Sequence, residues 1–122
     1  MKIFLVDKNS IVGEFIEEFL KEESHSIFQY SCAECAIKEV ESIYPDLIIS
    51  GARLGEMDGM DFLKTCRNVL KYDGLFFILT SYPLHPIEHY IREGANLYLD
   101  KNIGYEKIFN IIKNEISRIS IS

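Results

Sequence analysis

Five short apolar runs, each followed by a segment whose apolar residues recur at helical spacing, constrain this chain more than any other feature of its 122 residues. KIFLV at 2–6 predicts a first strand, and Val12, Phe15, Ile16, Phe19 and Leu20 predict a helix over 10–21 capped by Asn9 or Ser10. SIFQY at 26–30 predicts a weaker second strand, and Ala36, Ile37, Val40 and Ile43 mark a helix over 33–43 that ends at Pro45-Asp46. LIIS at 47–50 predicts a third strand, and Phe62, Leu63, Cys66, Val69 and Leu70 mark the apolar face of a third helix. FFILT at 76–80 predicts a fourth strand; Pro86 then opens a short helix with Ile87, Tyr90 and Ile91 inward, ended by Gly94. A fifth strand over 96–100 and a helix over 104–118, with Ile108, Ile111, Ile112, Ile116 and Ile119 inward, complete the chain. Strands that alternate with helices imply a parallel sheet covered on both faces, which near-continuous apolar strands also require. In such a sheet ligands sit beyond the carboxyl ends of the strands. Asp7, Gly51, Thr80 and Lys101, at the ends of IFLV, LIIS, FFIL and LYLD, should therefore share one pocket.

Composition narrows the class of function. A single domain over 1–122 suits the length, and 48% hydrophobic with 26% charged residues is ordinary for a globular protein. A net charge of -6 argues against a nucleic-acid surface, so DNA is expected to be reached only through a partner. No apolar stretch approaches the ~18 residues of a membrane span, and Met1-Lys2 leads directly into a strand, so a cytoplasmic location is expected. Three cysteines without a secretion signal fit reduced thiols better than a disulfide framework.

The motifs IFLVDKNS at 3–10, PDLIISGARLGEMDGMDFLKTCR at 45–67, ILTSY at 78–82 and REGANLYLDK at 92–101 are specific in order and spacing. On these the chain resembles a response-regulator receiver domain of the CheY type, from Met1 to about Ile119. The resemblance implies a doubly wound, flavodoxin-like α/β fold with five parallel strands in the order 2-1-3-4-5, an order taken from the family rather than derived from the sequence. It also implies chemistry: transfer of a phosphoryl group to an aspartate after the third strand, with a metal to neutralise charge and donors for the equatorial oxygens. Two adjacent acids after the first strand normally hold Mg²⁺, but here Asp7 is followed by Lys8. The accepting aspartate falls on Gly51, which has no side chain to form an acyl phosphate. Thr80 and Lys101, which in the family hold the phosphoryl oxygens, are present, as is Tyr98, the aromatic whose rotamer couples to that threonine.

The expected pocket therefore carries Asp7 against Lys8 and Lys101, net +1, and more if Arg53 turns inward. A hard divalent cation wants oxygen ligands and negative charge. No metal and no cofactor are expected, with an ion pair between Lys101 and Asp7 in the metal's place. An anion on Thr80, Lys101 and backbone N–H groups near Gly51 is the alternative. Other acceptors are poorly placed: Ser50 should face the opposite side of the sheet, Asp46 lies at the far end of the strand, and Asp58 should cap a helix. Cys32-Ala33-Glu34-Cys35 at a helix start invites a redox or metal reading, but the family pattern places the start of the second helix here and structural thiols are expected. His85 and His89 flank the fourth helix roughly on one side and, with no acidic partner expected, read as exposed surface histidines. Tyr82, Tyr90, Tyr98 and Tyr105 gather near the fourth helix, fifth strand and fifth helix, the face that receivers use to dimerise or meet partners.

The reading that results is a signal-transduction module, not an enzyme, acting on a protein partner through that face without aspartyl phosphorylation, with a homodimer also open. The alternatives are a phosphorelay receiver with an unexpected acceptor, or the receiver part of a larger regulator with an output domain. The absence of a linker after the last helix favours a stand-alone protein. A flavin carrier on the same fold is disfavoured, because Asp7-Lys8-Asn9-Ser10 lacks a Gly-rich phosphate cradle.

Overall fold

The alternating pattern folds as five strands and five principal helices: β1 (Lys2–Val6), α1 (Ser10–Glu22), β2 (Ser26–Tyr30), α2 (Ala33–Ile43), β3 (Leu47–Ser50), α3 (Gly59–Lys64), β4 (Leu75–Thr80), α4 (Ile87–Arg92), β5 (Leu97–Asp100) and α5 (Tyr105–Ile121). This computed structural model describes residues 1–121, and side chains are described for all of these but 10–12, 120 and 121. The expected place of Val12 on the inner face of α1 falls outside the described side chains. All strand pairs are parallel and the order is β2-β1-β3-β4-β5. No described helix is long and apolar enough to cross a membrane.

Because successive strand residues face opposite sides, the central strands feed two cores. Phe4, Val6, Ile48, Phe76 and Ile78 pack with Ala36 and Val40 of α2, Phe62 and Leu63 of α3, and Tyr90 of α4. Ile3, Leu5, Ile49, Phe77 and Leu79 pack with Ile16 and Leu20 of α1 and Ile108 and Ile112 of α5. Each buried Val, Leu, Ile or Phe among them contributes about 1.5–3 kcal/mol by leaving water, before the conformational entropy lost on folding is subtracted.

Three expectations are corrected. Val69, assigned to the inner face of the third helix, is 72% exposed. The cause is a π-helical turn over Thr65–Val69 that follows α3, with Leu70 N–H donating to Thr65 O at 3.0 Å, which advances the register by one residue. Ile87 and Ile91 of α4 are each 48% exposed, so Tyr90 alone of that expected face enters the core. Finally, Cys32 and Cys35 are not free thiols but are joined in a disulfide; only Cys66 is free, and it is buried.

Candidate functional site

The register of the sheet brings the strand ends level. Val6 pairs with Ser50, Ser50 with Ile78, and Thr80 with Asp100, so the residues just beyond them converge at one edge. Asp7 N–H donates to Tyr30 O at 3.1 Å and Gly51 N–H to Val6 O at 2.9 Å, which fixes both backbones at the mouth of the site. Lys101 opens a short 3₁₀ turn, Lys101–Ile103, capped by Asp100, whose carboxylate accepts from Asn102 N–H at 2.8 Å. That turn aims the lysine back across the sheet, and its Nζ donates to Asp7 Oδ2 at 2.9 Å. The ion pair expected from the sequence is present, with the two side chains only 18% and 17% exposed.

Beside this pair lies a recess of about 240 Å³, lined among others by Asp7, Gly51, Arg53, Thr80, Tyr82 and Lys101. Gly51 borders it without filling it. A Cβ built there would sit 3.5 Å from Asp7 Oδ2 and from Leu54 Cδ2, ordinary van der Waals distances. Its φ is not positive, so neither backbone nor packing demands glycine here. Thr80 is occupied locally: its hydroxyl donates to Tyr82 O at 3.1 Å and accepts from Tyr82 N–H at 3.2 Å. Arg53 is exposed at the rim, and it shares with Lys8, Asp58 and Leu84 a second recess of about 280 Å³.

The Mg²⁺ that the resemblance implies does not fit this donor set. Asp7 is the sole carboxylate on the first recess, and both of its oxygens are engaged, Oδ1 by Asn9 N–H at 2.7 Å and Oδ2 by Lys101. Lys8 stands where a second acid would be needed, and Gly51 supplies no oxygen beyond its backbone carbonyl. Among the described residues no group of three or more His, Cys, Asp or Glu side chains is gathered to hold a metal ion.

The structure sorts the remaining candidates. Ser50 is fully buried on the opposite face, its hydroxyl donating to Gly51 O at 2.8 Å. Asp58 caps α3, accepting from Asp61 N–H at 2.9 Å. His85 corrects the sequence reading, for it does have an acidic partner: its Nε2 lies 3.4 Å from Asp58 Oδ2. That contact ties the β4–α4 loop to the start of α3, and no linear motif announces it. Tyr98 is half-buried with its ring 5.9 Å from that of Tyr90, and burial, with Asp100 adding to it, raises its phenol pKa. Tyr90 is buried and donates to Pro83 O, while burial pushes its phenol up to about 12. Tyr82 and Tyr105 are 66% and 41% exposed, so the four tyrosines form no single layer.

Comparison with known proteins agrees with this fold. The model of the response regulator receiver domain matches residues 3–113. The Fimbriae Z protein of Salmonella typhimurium is 24% identical over 120 residues, which are 97% of this chain and 57% of that protein, so the chain spans little more than half of this relative's length. Among solved structures, the signal receiver domain of a Vibrio parahaemolyticus protein superposes with a TM-score of 0.83 at 23% identity, covering 98% of this chain and 92% of that one. A two-component response regulator from Clostridium difficile gives 0.82 at 24% identity, covering 98% of both chains.

Proposed function

The chain belongs to the response regulator receiver domain family, and we propose that within it this domain is a degenerate receiver that signals through protein contacts without aspartyl phosphorylation. The observation that carries the reading is Gly51: the residue that follows β3 and faces Asp7 has no side chain to accept a phosphoryl group. Two further observations support it. The Asp7 carboxylate is neutralised by Lys101 rather than left for a metal, and the Thr80 hydroxyl is turned to its own loop. A pocket so engaged holds together without a ligand. The domain on this reading is a binding module rather than an enzyme. Its protein partner, or a second copy of the chain, meets the face of α4, β5 and α5, where Ile87, Ile91 and Tyr105 remain exposed.

Intact-protein mass spectrometry after incubation with Mg²⁺ and a small phosphodonor tests the reading. The natural chain is expected to gain no phosphoryl group. A Gly51→Asp, Lys8→Asp double variant, which restores the acceptor and the second acid in space that is open to them, is expected to gain one. A stoichiometric adduct on the natural chain would show that another residue accepts and would overturn the proposal.

A further inference from the structure

Cys32 and Cys35 are absorbed neither by the pocket nor by the core. Cys32 is the N-cap of α2, an 11-residue helix, and its Sγ accepts from Cys35 N–H at 3.1 Å. The two Cα atoms lie 5.4 Å apart, within the range a disulfide spans without moving the backbone. Cys32 is half-buried against the β2–α2 corner, whereas Cys35 is exposed. We propose that this pair is a thiol–disulfide exchange site for a small soluble thiol, with Cys35 the sulfur attacked and Cys32 the sulfur released.

The asymmetry follows from the geometry. Attack requires access, which Cys35 has. The sulfur released must carry negative charge, and Cys32 sits where a helix N-terminus and a donated backbone N–H stabilise a thiolate. The external thiolate forms a bond to Cys35 Sγ while the Cys32–Cys35 bond breaks, its electron pair leaving on Cys32. A second external thiolate then attacks the external sulfur of the mixed disulfide and expels Cys35 as a thiolate, which takes up a proton. The protein disulfide has gained two electrons, and two small thiols have been oxidised to their disulfide. Cys66 stands outside this chemistry, since it is fully buried and burial pushes its thiol up to about 12. The pair also adjoins the candidate site: Ser31, next to Cys32, lines a recess of about 260 Å³ with Asp7, Lys8, Gln29 and Tyr30. This inference does not depend on how the phosphoryl pocket is read.

The test equilibrates the folded chain with graded ratios of reduced to oxidised glutathione, quenches with acid, blocks free thiols and counts them by intact mass. Two thiols are expected to appear together as the ratio rises, with no change in far-UV circular dichroism. Cys66→Ser should leave this paired step intact. Cys32→Ser, which keeps a good N-cap, should abolish it and capture glutathione at Cys35. The proposal is overturned if the pair stays reduced at every ratio, if the disulfide persists at every ratio, or if the two cysteines respond independently.

Discussion

A methyl group added at Gly51 and at Gly59 meets opposite surroundings, although both glycines line the β3–α3 connection. At Gly51 the nearest atoms are 3.5 Å away and belong to side chains. At Gly59 a Cβ would press on the backbone of Gly51 and Ala52, reaching Ala52 Cα at 2.9 Å, because Gly59 N–H donates to Ala52 O at 2.7 Å and draws the chains together. Gly51→Ala is therefore expected to be neutral or to stabilise by up to about 1 kcal/mol, chiefly by restricting the unfolded chain. Gly59→Ala is expected to cost about 1–3 kcal/mol, because backbone rather than a flexible side chain must yield. Urea titrations with unchanged slope measure both. A loss above 1 kcal/mol for Gly51→Ala would mean that the recess beside it is not open. The contrast bears on the proposed function: glycine at position 51 is not a concession to the fold, since the fold has room for a Cβ there.

At the scale of elements, the π-helical turn after α3 is the feature that one-dimensional periodicity could not supply. A 3.6-residue repeat places Val69 inward, and the turn instead exposes it and swings Arg67 over the start of β4 and the α4–β5 connection. Arg67 then donates through Nε and Nη2 to Gly94 O at 3.1 and 2.8 Å, and through Nη1 to Tyr72 O and Gly74 O at 2.8 and 2.7 Å. Its Nη2 also reaches Asn96 Oδ1 at 3.0 Å, an oxygen that accepts from Phe76 N–H as well. The strands were legible because their apolar runs are contiguous; this clamp was not, because its partners are carbonyls whose positions depend on the turn itself. Lysine offers donors on one point rather than a planar fork, so Arg67→Lys leaves several of these carbonyls without a partner. It is expected to cost about 2–4 kcal/mol. Hydrogen exchange should place the lost protection at residues 94–97, and a cost under 1 kcal/mol, or loss spread evenly over the sheet, would refute the clamp.

For the whole molecule, what was legible of the site were residues fixed by strand ends, since a strand's last residue is set by local pattern and the register does the rest. Asp7, Gly51, Thr80 and Lys101 converge for that reason, whereas the contact of His85 with Asp58 joins two loops and left no trace in the pattern. The Asp7–Lys101 pair links the first strand to the last across the mouth of the recess. Removing either partner alone leaves the other half-sheltered without its counter-charge, and Lys101→Met is expected to cost about 1–3 kcal/mol. The Asp7→Asn, Lys101→Met double variant removes both charges, so its loss should fall short of the sum of the single losses by about 1–2 kcal/mol. Such coupling, measured by urea unfolding of the four proteins, means that the two strand ends are held by each other. Additive losses would mean that the lysine is free in solution, and a free lysine beside Thr80, Lys8 and Arg53 would return the recess to the reading in which it binds an anion.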